Sequence, residues 1–257
     1  MNRKPDESLK KKNMKFRIQI VTAAIFLFIG GIVKAQDDEF QDLRVLYMDQ
    51  KYEKLISKAE AYVNKDKTRK NPEPYLYLSK AYFEISQLEE YSKKYPSEKA
   101  FREAMKWATK YRRKDREGEI YEDNDFYFNE LKKAVIEEAA GLMSDEKYSR
   151  AKRYYSSITT FDPDDPGAWL MLGYSQVKMR AMMEAKVALE EAGRVMHRVD
   201  MTKLNSVERK LLLDGVLGYS DFLLEQGMRD SARTTLDLAK PALEGDTEFD
   251  MYINRIN

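Results

Sequence analysis

The sequence predicts an all-α protein built of antiparallel helix pairs. Charged residues make up 35% and apolar residues 43% of its 257 residues, and there are only 11 Gly and 7 Pro. This balance suits amphipathic helices with solvated outer faces. No run alternates apolar and polar residues regularly enough to indicate a strand. Small and large apolar residues recur 34 residues apart in the second half of the chain, which indicates a repeated helical unit.

The first 35 residues have the pattern of a signal peptide. A basic stretch precedes an apolar run over 20–33, and small residues flank the lysine in Val33-Lys34-Ala35, where a signal peptidase reads them. The run of about fourteen residues is short for a membrane span. We expect cleavage after this tripeptide, so that the mature chain begins at Gln36 without a transmembrane segment. An uncleaved anchor and a buried first helix are the alternatives, and Met14 is a second candidate start.

The net charge and the numbers of Cys and His residues exclude several classes of function. Of the 45 Lys/Arg and 44 Asp/Glu residues, eight and two lie within 1–35, which leaves 37 and 42 and a net charge of about −5. A net-acidic chain lacks the basic footprint that nonspecific nucleic-acid binding requires. With no Cys and a single histidine, His197, disulfides and cysteine nucleophiles are excluded. We therefore expect no catalytic residues, no cofactor, no metal site and no nucleic-acid partner.

The clearest repeat unit begins near Pro166. Its opening places Trp169, Leu172 and Gly173 in a W-x-x-L-G pattern, and its second half carries small and large apolar residues at Ala185, Leu189 and Ala192. The preceding unit keeps this register, since Ala151, Tyr155 and Ile158 stand 34 residues earlier. A proline-containing turn over 161–166 separates the two units.

These residues resemble the tetratricopeptide repeat (TPR) family, and together with the leader they resemble its exported bacterial members. The resemblance implies a right-handed superhelical solenoid of antiparallel helix pairs, in which small residues such as Ala185 sit where two helices approach closely. With the signal peptide over 1–35, the expected organisation is degenerate repeats with insertions over 36–130, two well-matched units over 131–199, and a C-terminal unit and tail over 200–257.

The flanking units match the pattern less closely. A first helix is expected from about Asp38 to Met48, followed by a second helix that begins near Tyr52. A further pair is expected from Tyr75, with extra residues between its two helices. At the C-terminal end, Asn205-Ser206-Val207-Glu208 is typical of a capping box that starts a long helix to about Gln226. The glycine that follows it, Gly227, suits a tight turn with positive φ.

In this family the first helix of each pair lines a concave groove, so the resemblance implies a set of partner-binding positions. In the early unit these are Leu76, Lys80, Phe83 and Glu84. In the middle units they are Ile136, Ala140, Met143, Leu170, Tyr174, Val177 and Lys178. In the last unit they are Leu217, Asp221, Leu224 and Glu225. A groove with this mixture of side chains would suit an extended peptide or a partner helix. The alternative is that many of these residues only pack helix on helix.

Three smaller features have structural and functional interpretations. The acidic, aromatic insertion over 112–129 is a solvated connection with its aromatic residues packed on the stack, a loop that docks a partner, or a carboxylate metal site. His197 is expected to be a helix-end residue. Met179, Met182 and Met183 are expected to provide adaptable packing.

The sequence thus predicts an exported scaffold that is not an enzyme. We expect it in the periplasm or at the outer membrane, associated with an envelope complex and binding a protein or peptide in its groove. A self-associating structural component of a secretion or envelope assembly is one alternative. A carboxylate-dependent hydrolase on a helical scaffold is another.

Overall fold

The computed structural model describes residues 39–118 and 123–256, so the predicted leader lies outside the described residues. Within these ranges the chain forms α-helices, two 3-10 helices and no strand, which confirms the all-α prediction. The α-helices are α1 (Gln41–Met48), α2 (Tyr52–Val63), α3 (Glu73–Gln87), α4 (Ser97–Lys114), α5 (Asp125–Ser144), α6 (Tyr148–Phe161), α7 (Pro166–Lys178), α8 (Met182–Arg198), α9 (Ser206–Glu225), α10 (Arg229–Leu243) and α11 (Thr247–Ile256). The 3-10 helices are Glu89–Tyr91 and Met201–Lys203.

From Leu43 onward the described residues belong to one compact unit. Consecutive helices pack against each other in the pairs α3–α4, α5–α6, α7–α8 and α9–α10. Helix α7 also contacts α6 and α9, which makes it the centre of the C-terminal half. The superhelical stacking of these pairs stays a prediction.

Four turns between consecutive helices share one geometry. Each is three residues long, and its middle residue has positive φ: Gln50 (56°), Glu146 (59°), Arg180 (62°) and Gly227 (73°). The amide that follows this residue donates to the carbonyl five residues earlier, at 2.8–2.9 Å in all four turns. This is the hydrogen bond of a Schellman-type helix end. The sequence pattern singled out only the glycine, although three non-glycine residues adopt the same conformation.

The small residues of the predicted register lie where helices are in close contact. Ala151, Ala185 and Ala232 are each at most 1% exposed. A Cβ atom added to Gly173 of α7 would lie 2.6 Å from Cγ of Leu189 on α8, so only glycine permits this spacing. The burial of these positions agrees with the register that the 34-residue spacing indicates.

Two helix starts are fixed by capping side chains. Asp165 accepts a hydrogen bond from the Ala168 amide at 3.0 Å and caps α7. Asn205 and Glu208 form the predicted capping box at the start of α9. That helix ends at Glu225, one residue before the predicted end. Among the described helices, none is both long enough and apolar enough to cross a membrane.

Candidate protein-binding surface

Helices α7 and α9 lie side by side because glycines remove side chains between them. A Cβ atom on Gly218 of α9 would lie 2.6 Å from Cε1 of Tyr174 on α7. One on Gly167 of α7 would lie 2.5 Å from the backbone nitrogen of Leu212 on α9. Such distances are too short for any residue with a side chain, so glycine sets the separation of the two helices. The groove positions predicted on α7 and α9 are therefore brought together.

Tyr174 and Lys178 lie one turn apart on α7 and share a face. Tyr174 is half-buried against Gly218, whereas Lys178 is exposed. The Lys178 Nζ lies 5.6 Å from the ring centroid of Tyr148 on α6, within the range of a cation–π contact. Burial raises the pKa of the Tyr174 hydroxyl, the Lys178 ammonium lowers it, and Asp221 on α9 raises it. Side chains from three helices therefore meet around Tyr174.

Helix α11 extends this face on the other side of α9. The Tyr252 hydroxyl donates to Asp221 Oδ1 at 2.8 Å, and an Arg255 guanidinium nitrogen lies 3.6 Å from the same oxygen. Burial and the bond to Asp221 raise the pKa of Tyr252. A cavity of about 400 Å³ opens here, and Leu217 and Met251 line it together with these three residues. We name this face the α7–α9–α11 surface; it consists of Tyr174, Lys178, Leu217, Asp221, Met251 and Arg255.

The other predicted groove residues lie in several environments. Leu76, Leu170 and Val177 are at most 5% exposed, so they belong to the helix-packing core and offer no surface to a partner. Leu217 and Leu224 are partly buried against the C-terminal core. The half-buried residues are Phe83, Ile136 and Met143, and the exposed ones are Ala140 and Glu225.

Lys80 is held by the chain's own aromatic rings. Its Nζ lies 5.5 Å from the ring centroids of Tyr47 and Tyr127 and 5.8 Å from that of Tyr77. It also donates to Asn124 Oδ1 at 2.6 Å. Burial lowers the pKa of the Lys80 ammonium. The Lys80 aromatic cage, formed by these three tyrosines, therefore joins α1, α3 and the start of α5 and leaves little of this lysine for a partner.

A buried charge cluster, which the sequence pattern did not reveal, lies where α5, the α6–α7 turn and α9 meet. The side chain of Lys132 on α5 is 1% exposed, and its Nζ forms an ion pair with Asp162. The same nitrogen lies 3.0 Å from Asp165 Oδ2 and 3.1 Å from Glu208 Oε1. The Asp165 contact is an ion pair by distance, although that oxygen has no partner with hydrogen-bond geometry. We name Lys132 and its three carboxylates the Lys132 cluster.

The three carboxylates have the spacing of a cation site, but an ammonium group already fills it. One oxygen each from Asp162, Asp165 and Glu208 lies within 4.8 Å of the others. Because Lys132 Nζ contacts all three, the position that a metal ion would occupy is taken by the lysine. The cluster therefore ties helices together through charge. Its signal in the sequence was one lysine within the otherwise apolar stripe of α5.

The insertion predicted over 112–129 is shorter in the structure. Helix α4 continues to Lys114 and α5 begins at Asp125, because aromatic residues of its first turn pack against α4. The Phe128 ring stacks on Tyr111 with centroids 5.3 Å apart. Phe126, in contrast, is 80% exposed. Residues 119–122 lie outside the described part of the chain.

Two smaller expectations have different outcomes. His197 is exposed in the last turn of α8, in agreement with the helix-end interpretation. Met182 and Met183 are 53% and 77% exposed. Their predicted role in packing is wrong, because they form the solvent-facing first turn of α8. Met179 is half-buried.

Comparisons of the chain with protein-family models, with curated proteins and with solved structures found no match.

Proposed function

We propose that this chain is an exported scaffold of TPR type that binds a protein or peptide of the cell envelope and is not an enzyme. Two independent patterns support a repeated helix-pair architecture. One is the 34-residue register of small residues, which includes Ala151 and Ala185. The other is the common turn geometry at Gln50, Glu146, Arg180 and Gly227. Helix pairs that close in the same way can stack as a solenoid, and solenoids expose extended binding surfaces.

The observation that carries the binding proposal is the convergence of predicted groove residues on the α7–α9–α11 surface. Tyr174 offers a large, half-exposed ring on α7. Met251 on α11, which lines the cavity beside Asp221, is 62% exposed. Lys178, Asp221 and Arg255 surround these apolar groups with charges of both signs. An apolar anchor within a polar rim is the composition that dominates the energetics of protein interfaces.

The surface suits an extended segment or one helix of a partner. The cavity of about 400 Å³ beside Asp221 provides a depression for a side chain of that segment. The charges of Lys178, Asp221 and Arg255 would fix the direction in which the segment lies, because charged groups at an interface contribute to specificity and register.

A photo-crosslinking amino acid placed at Tyr174 or Lys178 tests whether this surface meets a partner in the native envelope. The same amino acid at Val187, which is 65% exposed on α8, is the matched control. We expect one defined crosslinked species from the first two positions and none from the third. Identical products from all three positions would contradict the proposed surface.

A double variant, Tyr174→Ala with Lys178→Glu, then tests how much these two side chains contribute to partner binding. We expect capture of the crosslinked partner to be lost while the circular dichroism melt stays cooperative. The matched control is Val187→Ala with Lys186→Glu on α8, which should capture normally. Undiminished capture by the well-folded Tyr174/Lys178 variant would disprove the groove proposal. A lowered melting temperature for Tyr174→Ala by itself would show that the ring mainly packs against Gly218.

A further inference from the structure

A second concave site lies away from the α7–α9–α11 surface, between α3, α4, α5 and α6. It consists of two adjoining cavities of about 260 and 180 Å³. Both cavities are lined by Glu98 of α4 and Tyr154 of α6, which therefore form the wall between them. None of the groove positions predicted from the sequence lines either cavity.

The first cavity combines an aromatic floor with carboxylates. The rings of Phe101 and Tyr154 stack with centroids 6.2 Å apart, and both side chains are at most 6% exposed. Glu137 and Glu138 on α5 also line this cavity, and so does Glu98 of α4. Within the described residues, Glu137 and Glu138 form no ion pair. The cavity thus presents two uncompensated carboxylates next to a buried apolar surface.

The second cavity has the opposite charge. Arg102 and Lys106 of α4 line one side, and Arg150 and Arg153 of α6 line the other. A Glu98 oxygen lies 2.9 Å from Arg150 and 3.5 Å from Arg102, and Lys106 pairs with Glu103 at 2.7 Å. These two carboxylates neutralise part of the basic charge, and Arg153 has no ion pair within the described residues. The first cavity is therefore acidic and the second basic, and Glu98 lies between them.

We propose that these paired cavities bind a partner-protein segment in which a lysine or arginine is followed closely by an aspartate or glutamate. The methylene stem of the basic side chain would pack on Phe101 and Tyr154, as long cationic side chains do on apolar surfaces. Its charged end would meet Glu137 and Glu138, and charge-assisted hydrogen bonds of this kind are among the stronger polar contacts. The acidic side chain of the segment would then reach the basic cavity across Glu98.

Charge complementarity is the argument for this occupant. A purely apolar segment would leave the carboxylates desolvated and unpaired, and a purely acidic one would be repelled by the first cavity. A segment with both charges satisfies both cavities, and reversing the order of the charges would reverse the direction in which it lies.

Selection from a random peptide library displayed on phage tests the proposal and requires no identified partner. The probe is the library itself, presented to the chain that begins at Gln36. We expect enrichment of peptides with a basic residue near an acidic one. The variant Glu137→Gln with Glu138→Gln should bind synthetic copies of these peptides about tenfold more weakly or worse, since each carboxylate lost removes a hydrogen bond to a charged group. Higher ionic strength should also weaken binding.

Two control variants show whether the peptides bind at these cavities. Glu130→Gln with Glu184→Gln removes the same charge from exposed positions on α5 and α8 and should leave the affinity unchanged. The variant Tyr174→Ala with Lys178→Glu should also retain it, so the two proposed surfaces can fail independently. Melts followed by circular dichroism check that each variant is folded.

Three results would overturn the proposal. One is the absence of an enriched peptide, and another is enrichment of peptides without basic residues. The third is equal affinity of the Glu137/Glu138 variant and the unmodified chain. A dimer in sedimentation velocity that dissociates in this variant would assign the cavities to a second copy of the chain instead.

Discussion

Two lysines on first helices of their pairs are buried in opposite ways. Lys80 on α3 is held by the rings of three tyrosines and one amide oxygen. Lys132 on α5 is held by three carboxylates and is almost completely excluded from solvent. The aromatic cage carries the lysine's own single positive charge, whereas the Lys132 cluster carries a formal net charge of −2.

The difference shows how much the Lys80 aromatic cage and the Lys132 cluster each depend on their lysine. Removal of the Lys80 charge leaves rings that can still pack on one another. Removal of the Lys132 charge leaves Asp162, Asp165 and Glu208 close together without a counterion. An intact buried ion pair contributes little to stability. Removal of one partner is far more costly, because the other charge is then buried without a counterion. Three experiments follow from this contrast, in order of expected effect.

The variant Lys132→Met should have the largest effect. Methionine keeps most of the side-chain volume but leaves the carboxylates unpaired, so we expect a loss of about 3–5 kcal/mol in the free energy of unfolding. Urea unfolding measures it. Lys133→Met, at the exposed neighbouring position, is the control and should change stability little. A loss below about 1 kcal/mol would show that the cluster contributes little to stability.

Titration of Asp165 should make the stability that the Lys132 cluster contributes depend on pH. Burial raises the pKa of this carboxyl from 3.8 to about 6, Lys132 opposes the rise and Asp162 adds to it. Between pH 4 and 6 the folded chain then holds a proton that the unfolded chain has released. The contribution of Asp165 to stability is therefore greatest below pH 4 and is lost as the pH rises through 6.

Asp165→Asn removes this titration and keeps a good helix cap. We expect the variant to gain stability relative to the unmodified chain between pH 4 and 7, by up to about 3 kcal/mol. Urea unfolding at several pH values measures the difference between the two proteins. A change of opposite sign would mean that Lys132 outweighs burial and lowers the pKa of Asp165.

Lys80→Met should have the smallest effect. The variant loses cation–π contacts and one hydrogen bond but keeps an apolar stem among the rings, so we expect a loss of about 1 kcal/mol. Thermal melts of this variant and of Lys54→Met, at an exposed position on α2, measure the difference. A loss as large as that of Lys132→Met would remove the distinction between the two junctions.

The sequence was most informative where local chemistry determines structure. The capping box at Asn205, the turn at Gly227 and the small residue at Ala185 were all predicted correctly, because each acts through its own helix or its immediate neighbour. The extent of α5 was misjudged, since its first turn is fixed by the contact of Phe128 with Tyr111 on another helix.

The candidate site was only partly predictable, because exposure of its residues depends on contacts with other helices. The register identifies which residues lie on first helices, but it does not show which side of each helix a neighbour covers. Tyr174 and Asp221 reach the surface, whereas Leu170 and Val177, from the same set, are buried. The surroundings of the two lysines were missed because most of their partners are distant in sequence and carry no short motif.

The contact between Lys132 and Glu208 joins residues 76 positions apart, across the whole α7–α8 pair. In a linear array whose units touch only their neighbours, one end can unfold while the other remains folded. Here, separation of α9 from the rest would remove one carboxylate from Lys132 and expose the others. We therefore expect the segment from α5 to α9 to unfold as one cooperative unit, with fraying confined to the helices outside it.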